Sequence, residues 1–495
     1  MNSNRFFLRA KYTPVLIAIV AGFASVATHA ATIIISSRDA PGVGFNDPTP
    51  VAPVGGNPGT TLGEQRMNLY RHAANIWEAQ LTSAVPITVS AGWEALSCTA
   101  TQAVLGSAGA WNIWRDSPGA TPDRWYPQAL ANKLAGVNLI EGNPDDGSGF
   151  GNVDIKTQFN VNLGNVGCLT GRGFYLGFDG NAGTQVNLLA TLLHELGHGL
   201  GFSIVSVQTS TGNRLNATAT AFVATGGVPS YWEDYMFDNV LSKTWLNMTS
   251  AERAASAIRP QQVAWIGANA VAGAATTLGP VPGLRVSTPV PNVSGFYTFT
   301  PTSFGPAPVI PSGFGRLQTP IQNLGCNPFN PTDTARLTGN VAIIDRGSCT
   351  FLVKATNAQN AGAIGVIFAN NMAGVPPGNF GTAPAIVIPI VAVTQADGAT
   401  LKTAVGNASI YGSRRTPGSV SASFTTNPNR LAGADALKRP LLFTPNPLQP
   451  GSSVSHWDTS AFPNQLMEPS ISADLTTLLV PPKDLTFPLL RDLGW

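Results

Sequence analysis

The alternation of apolar and polar positions divides the chain into recognisable stretches. A short β-branched run at 32–36 is followed by a Gly/Pro-rich stretch, after which Leu62, Leu69, Ala73, Ile76, Trp77 and Leu81 recur at helical spacing. That spacing predicts a helix over 62–81 with one face buried against a sheet. Residues 85–91 then read as a strand, and 106–183 as turn-rich text with short aromatic strands such as 173–178. The one strongly apolar helix is predicted at 186–200, stopped by Gly199 and Gly201. Thr249 and Glu252 have the spacing of a capping box that opens a further helix, with Pro260 just past its end. Residues 280–340 are dense in Pro, Gly, Thr and Val; beyond them 341–344, 351–361 and 363–368 read as strand, helix and strand of a separate small module. From about 430 the chain regains Leu and Trp, and no internal repeat is present.

The N-terminus follows a different logic. Arg5, Arg9 and Lys11 precede an apolar run at 15–27, and Thr28, His29 and Ala30 make a small-residue cleavage pattern. This is the plan of a secretory signal peptide over 1–30, hence of an extracellular protein. A bilayer span needs about 20 apolar residues, more than this run supplies, and no later segment supplies them. No long pro-segment is expected, because the predicted elements begin almost at the cleavage pattern. Composition adds that 52 Gly and 39 Pro in 495 residues favour short strands and many turns. Charged residues are 11% and the formal net charge is +2, so no basic field exists to hold nucleic acid or an anionic membrane. In an oxidising compartment Cys98, Cys168, Cys326 and Cys349 should form two disulfides, and pairing within each half is the simplest of three connectivities. Their spacing does not suit a four-cysteine zinc site.

The chemistry lies in HELGH at 194–198. His194 and His198, four apart on a helix, present their imidazoles on one face to a single ion, and Glu195 can take a proton from a water held there. Zinc suits imidazole ligands, and three of them leave a fourth position for water. The third ligand is not local: where a metzincin has its third His, three residues beyond the Gly that turns the chain, Ile204 follows Gly201. The other histidines of the mature chain are His72, within the first amphipathic helix, and His456, in a polar loop. A carboxylate ligand from Glu233 or Asp234 is the alternative.

HELGHGLGF at 194–202 together with SHWD through LMEP at 455–469 resembles leishmanolysin and its relatives among the metzincins, in which the third His follows a long insertion and precedes a Met. The resemblance implies an α+β zincin-like catalytic domain, a twisted sheet plus active-site helix, with one catalytic zinc on His194, His198 and His456. It further implies Glu195 as the catalytic base, Met467 as a Met turn supporting the site and Gly201 as the turn after the helix. Asp458 is the candidate to orient His456. Pro469 stands where some metzincins carry a tyrosine ligand, so none is expected.

The 254 residues between Gly201 and His456 are far more than a loop needs. GNVAIIDRGSCTFLVKATNAQNAGAIGVIFANN within them resembles the protease-associated (PA) domain, a β-rich α/β fold that implies a non-catalytic unit near an active-site cleft. The resulting plan is a signal peptide (1–30), a catalytic domain in two parts (31–275 and 431–495) and an inserted PA domain (276–430). Protein or peptide substrates follow, cleaved internally by a metal-activated water. The alternative is a secreted binding protein whose zinc site is non-catalytic. The clustered carboxylates and glycines of 143–154 could bind calcium, yet they do not fit the EF-hand spacing, so a solvated turn is the expectation and calcium is not supported.

Overall fold

The computed structural model describes residues 30–140, 152–302, 305–374, 376, 385–411, 418–472 and 475–495. The apolar run at 15–27 with Thr28 and His29 lies outside them, as does most of 143–154. No helix among the described residues is long and apolar enough to cross a membrane.

Strand β1 (Ile33–Ser37) leads to helix α1 (Leu62–Glu78), then β2 (Ile87–Glu94), β3 (Gly106–Ala110) and β4 (Ile155–Asn160). The sheet order is β1-β2-β4-β3, with β3 antiparallel at the edge and the other three parallel. Thr61 and Glu64 close a capping box at the start of α1, and Leu69, Tyr70, Ala73, Ala74 and Trp77 form its buried stripe. The helix stops at Glu78, short of Leu81. The Leu81 carbonyl instead accepts from the Ala31 N–H at 3.0 Å, so Leu81 is buried from a turn.

Helix α2 (Leu188–Leu200) starts later than its apolar pattern, because Asn187 caps it by accepting the Ala190 N–H at 3.2 Å. Of the aromatic stretch 173–178 only Phe174–Tyr175 is paired, with Val186–Asn187. Gly199 is not a stop: it lies inside α2, and a Cβ there would sit 2.4 Å from Ile155 Cγ2 of β4. The glycine lets the helix lie close on the sheet. Gly201, at φ +119°, ends it.

Helix α3 (Ser250–Ser256) carries the Thr249–Glu252 capping box, and α4 (Ala268–Thr277) follows. The next elements are β5 (Pro280–Ser287), β6 (Gly295–Thr298), β7 (Thr300–Pro301), β8 (Ser312–Gln318), β9 (Val341–Asp345), α5 (Phe351–Asn360), β10 (Gly365–Ala369), β11 (Ile390–Val393), α6 (Gln395–Asn407) and β12 (Ser421–Leu431). Their eight strands form one sheet, ordered β6-β5-β12-β8-β9-β10-β11-β7. Alternation along β9 puts Val341 and Ile343 in one apolar cluster and Ala342 and Ile344 in another, so this sheet is covered on both faces. The Gly279 N–H donates to the Phe462 carbonyl (2.7 Å) and the Ala432 N–H to the Gly279 carbonyl (2.9 Å), joining the two ends of this stretch to each other and to the loop beyond His456.

Disulfides join Cys98 to Cys168 and Cys326 to Cys349, so pairing is within each half. Helix α7 (Thr486–Leu493) closes the described chain, its Asp492 accepting from the Asn269 and Ala270 N–H groups at the start of α4.

Candidate metal centre

One turn of α2 separates His194 from His198, which puts both rings on the face turned toward the loop carrying His456. That loop is pinned by backbone bonds of Phe443 to His456 (2.9 Å) and Val454 to Phe443 (2.7 Å), and by the Trp232 indole N–H on the Val454 carbonyl (3.1 Å). The three imidazoles converge: His198 Nε2 lies 3.1 Å from both His194 Nε2 and His456 Nε2. Among the described residues they are the one such group of His, Cys, Asp or Glu with ligand atoms within 4.8 Å of one another.

The opposite edge of each ring shows its tautomer. His194 Nδ1 meets the Leu466 carbonyl at 2.7 Å, His198 Nδ1 the Phe202 carbonyl at 2.8 Å and His456 Nδ1 the Ser452 carbonyl at 2.8 Å. A carbonyl only accepts, so each Nδ1 carries the proton and each Nε2 keeps a free lone pair. Three lone pairs facing one another repel unless a cation lies between them. Ligand atoms about 3.3 Å apart are what a tetrahedral ion with Zn–N bonds of about 2.0–2.1 Å requires. Burial keeps the rings neutral: desolvation takes His194 down to about 4 and His456 down to about 3, and pushes His198 well below the ordinary imidazole value. The donor set fits a divalent ion.

Glu195, one step along α2, is half-buried and lines an open cleft of about 720 Å³ with His194, Gly106, Asn187, Ser452 and Glu468. Burial raises its carboxyl to about 7, against the opposing pull of the Ala108 backbone N–H on β3. Met467 is fully buried, with its Sδ 2.8 Å from where a Cβ on Gly197 would stand, so the glycine inside HELGH is the space that the methionine fills. Gly201 packs against Tyr231, whose hydroxyl donates to the Gly201 carbonyl.

Asp458 does not orient His456. Its carboxylate accepts the Ser460 N–H at 3.0 Å and the Ser460 hydroxyl at 2.5 Å, a local turn that outcompetes the ring, and the Ser452 carbonyl takes the orienting role. His72 is elsewhere, stacked on Phe178 at 4.4 Å. The carboxylate alternatives are engaged by arginines: Glu233 with Arg214 at 2.6 Å and Asp234 with Arg124 at 3.0 Å. The three carbonyl partners left no trace in the sequence, since every residue type has one. Asp484, which binds the Leu466 N–H at 2.6 Å, has no motif around it, and the indole of Trp495, on the Leu200 carbonyl at 2.8 Å, has none either.

Residues 308–401 match the family model of the PA domain. Among curated relatives, the Minor extracellular protease Vpr of Bacillus subtilis (strain 168) is 41% identical over 69 residues, 14% of this chain and 8% of that one. The Probable leucine aminopeptidase 2 of Aspergillus fumigatus is 37% identical over 84 residues, 16% of each chain. The Leucine aminopeptidase 2 of Arthroderma otae is 33% identical over 89 residues, 18% of each. The chain thus spans less than a fifth of the length of these relatives, and no such match bridges His198 and His456, 258 positions apart. Solved structures include BSAP, a zinc aminopeptidase from Bacillus subtilis (22% identity, 33% of this chain and 36% of that one, TM-score 0.20). An aminopeptidase from Aneurinibacillus sp. strain AM-1 matches at 20% identity over 32% and 36%, with a TM-score of 0.21.

Proposed function

We propose that the chain is a secreted, zinc-dependent endopeptidase of metzincin type, with a catalytic unit formed by 31–275 and 431–495 around an inserted PA domain at 276–430. The observation that carries the proposal is the convergence of three neutral, carbonyl-oriented imidazoles beside Glu195 at the wall of an open cleft. His194, His198 and His456 would hold the ion through Nε2. A zinc ion held there would supply Lewis acidity and would lower the pKa of a water in its open position to about 7. Glu195 takes the proton of the attacking water and passes it to the leaving amide nitrogen, a task suited to a carboxyl near 7.

The cleft adds a way to hold a peptide. Strand β3 is the sheet edge, pairs with β4 on one side, and meets the cleft at Gly106, so an extended substrate can add beside it by main-chain hydrogen bonds at the positions that Glu195 does not take. That favours internal cleavage of long chains. The packing of Met467 on Gly197, inside HELGH, supports the metzincin assignment. The two disulfides, the N-terminal pattern and a relative named as extracellular support secretion.

A second reading, removal of N-terminal residues, is favoured by relatives named as aminopeptidases. One experiment separates them: purified protein with stoichiometric zinc is offered casein and an N-terminally acetylated peptide. Internal cuts in both, lost by at least about 100-fold in Glu195→Gln with zinc retained, are expected. Activity restricted to free N-termini would exchange the first reading for the second, and stoichiometric zinc with no hydrolysis would point to a binding protein.

A further inference from the structure

The segment 463–466 is tied to the start of α7 by side chains that no catalytic step uses. Asp484 is buried at 4% exposure; its Oδ2 accepts the Leu466 N–H at 2.6 Å and its Oδ1 the Thr486 N–H at 2.7 Å. Gln465 Oε1 accepts the Leu485 N–H at 3.0 Å, and Gln465 Nε2 donates to the Pro463 carbonyl at 2.8 Å. Leu466 is therefore gripped at both of its polar groups, its N–H by Asp484 and its carbonyl by His194 Nδ1. Helix α7 is in turn held at its far end, where Asp492 caps α4 and the Trp495 indole N–H donates to the Leu200 carbonyl of α2. The helix that bears two ligands and the segment that orients one of them are thus braced by one element.

We propose that Asp484 is a positioning residue of the metal centre, holding Leu466 so that its carbonyl fixes the tautomer and direction of His194. The proposal rests on the zinc reading of the site. An apolar or amide side chain would fill this space at lower desolvation cost, whereas a carboxylate gives two charge-assisted bonds, roughly twice as strong as neutral ones.

The test is Asp484→Asn, which keeps the volume but turns an NH2 donor toward one of the two N–H groups. Zinc affinity, measured by competition with a chelating dye, should fall 10- to 100-fold. Asp484→Glu keeps both acceptors and should fold and lose less. Asp458→Asn, an equally buried carboxylate beside His456 that orients no ligand, should leave zinc affinity unchanged. Urea unfolding of the metal-free proteins separates positioning from bulk stability: a purely structural role would lower metal-free stability without moving the affinity. Wild-type protein that takes up no zinc overturns the reading of the site and this proposal with it. Wild type that binds zinc, with Asp484→Asn indistinguishable from it, overturns this proposal alone.

Discussion

Gly199→Ala separates a glycine that ends a helix from one that lets a helix approach a sheet. In an exposed helix interior the change would stabilise by about 1 kcal/mol, because alanine loses less backbone entropy. Here the new methyl would stand 2.4 Å from Ile155 Cγ2, 2.9 Å from Cδ1 and 3.0 Å from Cγ1. Carbon atoms prefer separations of about 3.5–4.0 Å, so α2 or β4 must retreat by roughly an ångström. Ile155 is fully buried in a strand paired on both sides, which leaves it little room to yield. Overpacking of this kind costs about 1–3 kcal/mol, and at a contact this short the cost lies toward the upper end, so after the propensity gain of about 1 kcal/mol the net effect is a destabilisation of up to about 2 kcal/mol. Because α2 carries His194 and His198 while His456 comes from another segment, the retreat should also weaken zinc binding. Urea unfolding and dye competition measure both effects. Ile155→Leu, which lacks the Cγ2 methyl, should recover part of each in the double variant, since contacting residues do not add. A Gly199→Ala protein as stable as wild type, with unchanged zinc affinity, would refute the argument.

Two further outcomes follow from the site. Glu233→Ala leaves Arg214 without its buried carboxylate partner and should destabilise by about 3 kcal/mol while zinc content stays stoichiometric; lost zinc would instead make Glu233 a ligand. The second concerns protons. Burial holds the folded pKa values of His194 and His456 below the ordinary value of 6.5, at about 4 and about 3, with His198 also well below, so at pH 6 the folded metal-free site is already neutral. Three ordinary imidazoles at pH 6 would release about two protons on binding zinc. In a Glu195→Gln background, which removes the carboxyl next to the ligands, calorimetry at pH 6 in buffers of different ionisation enthalpy should show almost none from the histidines. The same depression means their contribution to metal-free stability is full above pH 6.5 and is lost as pH falls toward about 4, where the unfolded chain takes up protons the folded chain refuses.

Much of the site was legible because its chemistry is local and short-range in sequence. Two histidines at i and i+4 share a helix face in any context, a Glu between them faces nearly the same way, and with five histidines in the chain elimination left His72 and His456, of which the family resemblance singled out His456. The strand, helix and strand at 341–368 were legible for a similar reason: a buried βαβ unit writes continuous apolar runs around a capped amphipathic helix. Asp458 shows where such reasoning fails. Proximity to His456 in sequence suggested a partnership, but a carboxylate next to a Ser two residues on satisfies itself in the turn.

The sequence alone determined which side chains could serve as ligands and base, where the apolar faces lie, and where the strand, helix and strand of 341–368 stand. Only the tertiary structure decided that the last histidine meets the other two across 258 positions, and which main-chain carbonyls set each ring's tautomer. It also decided that Gly197 and Gly199 are spaces for Met467 and Ile155, and that Asp484 grips Leu466. The division has a physical cause: side-chain chemistry and periodicity belong to residues, whereas close approach and hydrogen bonding to the main chain depend on which distant backbone the packed core brings alongside.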